Sequence, residues 1–168
     1  FISERNGLPV VFLMNADGSD QRQLSANYEA HPDWSPDGKA LVYASGRETI
    51  GAIYLYDLIT HTEKKLTNTE RSTMAPDWSP DGTQMAIIYS PTHPGIHYEL
   101  FTINADGKSF QALTDSSSYQ YYSHPDWSPD GTRIAYAVDI DETNNIYTMN
   151  PDGTNIVQLT KDAGDNFK

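Results

Sequence analysis

Cysteine is absent from the 168 residues, which excludes disulfides, thiolate metal sites and cysteine nucleophiles. Its absence fixes no compartment. Cationic residues are scarce: 11 Lys and Arg stand against 23 Asp and Glu, for a formal charge of −12. A surface of that sign repels phosphate backbones, and the few cations are scattered, so nucleic acid is not an expected partner. No apolar run approaches the ~20 residues needed to span a bilayer. A signal peptide is lacking too, although the chain starts at Phe1 rather than at methionine, which leaves room for a preceding segment. No stretch shows the 3.6-residue periodicity of a helix. Neither a Gly-x-Ser-x-Gly elbow nor His-Glu-x-x-His occurs. The histidines (His31, His61, His93, His97, His124) have no nucleophile singled out by spacing. No catalytic residue is therefore expected, and the chain reads as a non-enzyme.

What is present is repetition. Residues 31–38 read HPDWSPDG, residues 75–82 APDWSPDG and residues 124–131 HPDWSPDG, and all three tryptophans (Trp34, Trp78, Trp127) lie within them. Asp33, Asp77 and Asp126 stand 44 and then 49 positions apart, a period that marks a repeat architecture. Each Ser-Pro-Asp-Gly is a turn: Pro presets φ, Asp bonds back to the backbone and Gly closes it. Around the turns lie short β-prone runs such as residues 40–45, 52–58, 84–90 and 133–139, bounded by turn residues. An offset of 42 carries Phe1 onto Tyr43, Arg5 onto Arg47, Phe12 onto Tyr54 and Leu24 onto Leu66. The chain therefore opens near the end of a second strand. The expected units are a partial one at 1–27, full ones at 28–67, 68–114 and 115–160, and a linker at 161–168 leading toward a further first strand.

Four short antiparallel strands per ~45-residue unit describe a β-propeller blade. The chain resembles the TolB-type, WD-repeat-like propeller family. The resemblance rests on residues 125–131 (PDWSPDG), 134–136 (IAY), 146–153 (IYTMNPDG) and Leu159-Thr160, and it covers nearly the whole sequence. It implies an all-β propeller with three complete blades and a fourth split between the termini. Three arrangements would fit: a segment of a larger ring, copies that complete each other's broken blade, or a four-bladed ring with a defective seam. Apolar flanks on the terminal blades would drive association, so the isolated chain is expected not to behave as a well-folded monomer.

The function implied is a binding or scaffold module in the periplasm or outside the cell, taking a protein partner or copies of itself. Two rivals are an accessory, substrate-gating propeller of a prolyl oligopeptidase-like peptidase, whose hydrolase domain this chain lacks, and a structural subunit of a fibre or ring.

Each tryptophan reads as a blade-to-blade packing residue. On an extended strand His31, Asp33 and Ser35 would share one face and Pro32 and Trp34 the other. The propeller architecture would then let Asp33, Asp77 and Asp126 approach the central channel with His31 and His124. There they could hold a divalent cation or a cationic ligand; alternatively each Asp bonds to backbone amides of its own or the next blade. No cofactor beyond such a cation is expected. Tyr119, Tyr121 and Tyr122, in the longest inter-blade loop, offer either contact area for a protein or sugar partner or packing surface. The acidic run 139–142 reads as a solvated loop, and the Asp-Gly turns at 17–18 and 152–153 lack the ligand spacing of a calcium loop.

Overall fold

A computed structural model describes residues 1–5, 7–25, 29–90, 98–115, 120–140 and 143–161. Residues 91–97, Tyr119, Asp141, Glu142 and residues 162–168 lie outside the described residues. The described chain is all-β. The first sheet has three strands, β1 (Ile2–Ser3), β2 (Val10–Leu13) and β3 (Arg22–Gln23). The second holds β4 (Glu29–Trp34), β5 (Ala40–Ser45), β6 (Ala52–Asp57) and β7 (Thr62–Lys65). The third holds β8 (Thr73–Trp78), β9 (Gln84–Tyr89), β10 (Glu99–Asn104) and β11 (Gln111–Ala112). The fourth holds β12 (Tyr121–Trp127), β13 (Ile134–Ile140), β14 (Thr143–Met149) and β15 (Val157–Gln158). Every pairing is antiparallel between sequence neighbours, as expected of propeller blades.

The second strand of each full blade reads as an almost continuous apolar run because both its faces are covered. Leu41–Ala44 and Met85–Ile88 are buried throughout. The core is accordingly a series of layers between blades. Val11 meets Tyr43 and Tyr54; Val42, Ile53 and Leu66 meet Trp78, Met85 and Ile103; Ile88, Leu100 and Leu113 meet Tyr122, Ile134 and Met149. The outermost strands are short and polar, which blunts the edges against further pairing.

Three local devices recur. In each Ser-Pro-Asp-Gly turn the Asp accepts from the preceding Ser hydroxyl (2.8 Å in Ser35–Asp37, 2.7 Å in Ser79–Asp81, 2.6 Å in Ser128–Asp130). These bonds hold the Asp130 carboxyl down at about 2 and lower Asp37 and Asp81 as well. The Thr of each Leu-Thr pair accepts a third-strand amide: Ile53 N–H to Thr67 at 2.9 Å, Leu100 to Thr114 at 3.0 Å, Ile146 to Thr160 at 2.9 Å. Finally, the Asp-Gly turn between third and fourth strands presses on the preceding blade. A Cβ on Gly107 would lie 2.4 Å from the Leu66 carbonyl oxygen, and one on Gly153 3.0 Å from that of Leu113. Close approach and positive φ both demand glycine there.

The expectation for the tryptophans needs one correction. Trp78 is 9% exposed and packs in the layer between second and third blades, and Trp127 packs partly buried in the next layer. Trp34 is 49% exposed. Its counterpart layer would be built by the first strand and turn of the first sheet, and that sheet has only three described strands.

Candidate functional site

The three first strands β4, β8 and β12 lie side by side, and each carries a register shift, between Ala30 and Asp33, Met74 and Asp77, and Ser123 and Asp126. The residue at each bulge adopts a left-handed backbone: His31 at φ 53°, Ala75 at 49° and His124 at 51°. For non-glycine residues this region is costly, and bulges are the usual place where it is tolerated. The bulge also corrects the simple alternation expected for His31, Asp33 and Ser35, because the extra residue breaks the period of two between His31 and Asp33.

The bulges nonetheless bring the expected residues together. His31, Asp33, Asp77, His124 and Asp126, with Pro32, Ala75, Pro76 and Pro125, line one open cavity of about 310 Å³. The His31 and His124 rings meet edge-on at 6.1 Å, across the blade where Ala75 replaces histidine. Burial lowers the His31 imidazole, and the neighbouring His124 adds to this.

The carboxylates do not form a simple ring of free charges. Asp33 accepts the backbone N–H of Trp78 in the next blade at 2.8 Å through Oδ2, and that of its own neighbour Trp34 at 2.8 Å through Oδ1. Asp77 accepts the N–H of Trp127 at 2.6 Å. Of the two readings open at Asp33 and Asp77, bonding to backbone amides is therefore seen directly. Burial raises Asp33 and pushes Asp77 up to about 7; the tryptophan amides oppose this, and the nearby carboxylates, Asp126 among them, reinforce it. Asp126 has no hydrogen bond among the described residues. No group of three or more His, Asp or Glu among the described residues is arranged to hold a metal ion.

The tyrosines separate. Tyr122 is buried, packs at 6.1 Å from the Tyr136 ring and donates its hydroxyl to Gln120 at 2.7 Å. Tyr121 is exposed, 6.3 Å from the Tyr98 ring. Both lie in β12 rather than in the loop expected for them. Tyr119 is outside the described residues.

A second polar cluster escaped sequence reasoning. Arg47 donates to Glu29 at 2.7 Å and to Glu63 at 2.5 Å, and its guanidinium sits 4.2 Å from the Tyr54 ring centre. The Tyr43 hydroxyl donates to Glu63. Glu29 is 1% exposed, and burial raises its carboxyl to about 7 against the pull of the Val11 amide and Arg47. The available signal was the 42-residue offset, which superposes Ser3, Arg5, Phe12 and Gln21 on Ser45, Arg47, Tyr54 and Glu63.

Stacked four-stranded blades, clasped Asp-to-amide near a shared mouth, define a β-propeller. A family profile described as the TolB beta propeller domain matches residues 14–168, and the chain belongs to that family. It is 29% identical to the uncharacterized protein Atu1656 of Agrobacterium fabrum, over 91% of this chain and 54% of that protein. The chain thus spans about half the length of the curated relative it matches. Among solved structures, a protein of Agrobacterium tumefaciens assigned as a TolB superposes with a TM-score of 0.81 at 27% identity, covering 93% of this chain and 58% of that one. TolB from Acinetobacter baumannii superposes with a TM-score of 0.76 at 24% identity, over 92% and 38% of the two chains, and shows the fold alone.

Proposed function

We propose that the chain is a non-catalytic propeller module, working in the periplasm or outside the cell, that binds a protein partner at the mouth where the three bulges converge. The observation that carries this reading is the state of Asp126. Its carboxylate accepts no hydrogen bond among the described residues and faces the charges of Asp33 and Asp77. Like charges held together in partly desolvated surroundings favour a cationic group beside them. A lysine, arginine or terminal amine presented by a partner protein supplies one, and the His31–His124 pair forms an aromatic wall next to it. Location in the envelope or exterior draws its support from the similarity to TolB proteins. The peptidase-accessory reading would need a hydrolase domain outside these residues.

Titration of the chain with the peptides Gly-Gly-Lys-Gly-Gly and Gly-Gly-Gln-Gly-Gly, followed by backbone NMR shifts, tests the proposal. Shifts at Ala75, His124 and Asp126 are expected with the lysine peptide alone, and Asp126→Asn should weaken them. Equal responses to both peptides, or shifts mapping elsewhere, would refute it.

A further inference from the structure

We propose that the junction between the third and fourth blades holds a small alkylated ammonium ion, in a cavity walled by Tyr122, Tyr136 and Tyr147. The cavity measures about 340 Å³, and Asp115, Val138 and Ile156 also line it. That volume falls within the ~300–1,000 Å³ of small-ligand pockets. It shares no lining residue with the mouth where the bulges converge.

The strand register shows what fills the same place in the second blade. Glu29 pairs with Ser45 as Tyr122 does with Val138, and Tyr43 with Tyr54 as Tyr136 does with Tyr147. Lys65 opposes Tyr54 as Gln158 opposes Tyr147, so Glu63 and Ile156, each two residues earlier, also correspond. In the second blade these positions surround the Arg47 guanidinium, which bonds Glu29 and Glu63 and lies 4.2 Å from the Tyr54 ring centre. The Tyr43 and Tyr54 hydroxyls donate to Glu63 and Glu48. In the fourth blade Ile140 stands at the arginine position, two residues past Val138, and packs on the apolar core. The cavity therefore lies where the second blade places a cation of its own.

The junction between second and third blades is closed in another way. Phe110, at the Glu63 position, packs 5.6 Å from the Tyr89 ring, and the Arg71 guanidinium lies 5.7 Å from the same ring centre. Both earlier junctions thus bring an arginine of the chain onto an aromatic face. Among the described residues no Lys or Arg lies over Tyr122, Tyr136 or Tyr147. These three rings form an arc, with Tyr136 at 6.1 Å from Tyr122 and 5.9 Å from Tyr147. Tyr136 is 3% exposed, yet its hydroxyl has no hydrogen-bond partner among the described residues, which leaves it for a polar group of a ligand. Tyr122 and Ile156 in place of Glu29 and Glu63 remove the acceptors that the N–H groups of a guanidinium or primary amine require. An alkylated ammonium needs none of them and is attracted by the aromatic faces. Asp115 in the wall and the formal charge of −12 add to the pull on a cation.

The test titrates the full 168-residue chain with choline and, separately, with its neutral isostere, the alcohol in which carbon replaces the nitrogen. Backbone NMR shifts report both place and affinity. Choline should give saturable shifts at Leu113, Tyr122, Tyr136 and Tyr147 and bind about tenfold more tightly than the alcohol, the size of a desolvated cation–ring contact. Tyr147→Leu keeps apolar bulk while removing one ring, and should cut that preference to about threefold or less. Equal affinity of the two probes for the unaltered chain would mean an apolar cavity only and overturns the proposal. Absence of saturable shifts, or shifts confined to the His31–His124 mouth, does so as well, and so does an unchanged preference in folded Tyr147→Leu. Should that variant fail to fold, the probe pair on the unaltered chain still decides.

Discussion

The carboxylate of Asp33 accepts the backbone N–H of Trp78 at 2.8 Å, across a blade boundary and 45 positions along the chain. Asp77 repeats the relationship with Trp127. The Asp of the repeated Pro-Asp-Trp phrase is thus a clasp between blades. It orients the very tryptophan that packs into the same junction, so one heptapeptide supplies both the hook of its own blade and the eye for the previous one.

Asp33 and Asp126 should therefore differ although their local sequences match. Asp33→Ala removes two charge-assisted hydrogen bonds and is expected to cost about 2–3 kcal/mol in urea unfolding. Asp126→Ala removes none among the described residues and relieves repulsion, so a change within about 0.5 kcal/mol is expected. Equal costs would contradict the clasp.

The tryptophans offer the same contrast in packing. Trp78→Ala should cost about 3–5 kcal/mol, as for other buried large-to-small changes. Trp34, half in solvent, should cost about 1 kcal/mol or less when truncated. Thermal melts of the two variants side by side would show it.

Glycine positions report on close approach. Gly107→Ala meets the Leu66 carbonyl at 2.4 Å as well as an unfavourable φ of +81°, and should cost more than about 2 kcal/mol of stability. Gly18→Ala has a similar φ of +83° with open space around it, and should cost only about 1 kcal/mol. Matching losses would mean that the turn does not press on its neighbour.

The pH dependence has a sign. Asp77 and Glu29 are both raised to about 7. Between roughly pH 4 and 7 the folded chain keeps protons that the unfolded chain releases, so their contribution is full below pH 4 and is lost as pH rises through 7. The turn carboxyls, Asp130 foremost, are lowered and act oppositely, losing their contribution only as pH falls below about 4. Asp77→Asn removes one proton that titrates in the upper window. The stability of the unaltered chain relative to this variant should therefore fall from pH 5 to pH 8; a rise would count against the raised carboxyl.

Much of this was legible beforehand because its causes are local. Period, strand content, the Ser-Pro-Asp-Gly turns and membership of the TolB-type family follow from residues within a few positions of one another, where φ preferences and short hydrogen bonds act. The gathering of His31, Asp33, Asp77, His124 and Asp126 was also anticipated, though by an alternation that the bulges break. A left-handed Ala75 carries no sequence mark, since alanine gives no hint of positive φ. The Arg47 cluster was hidden because its acidic and phenolic partners, Glu29, Tyr43, Tyr54 and Glu63, come from four strands brought together only by the sheet.

What the sequence determined by itself is therefore the repeating unit: which segments are strands, which are turns, and that one blade is copied along the chain. What only the tertiary structure decided is how identical phrases come to differ. Trp34 and Trp78 sit in the same Pro-Asp-Trp-Ser-Pro-Asp-Gly, yet one is half exposed and the other buried. Burial and hydrogen bonding belong to whatever packs against a residue, and in a stack of blades that neighbour lies some 45 positions away.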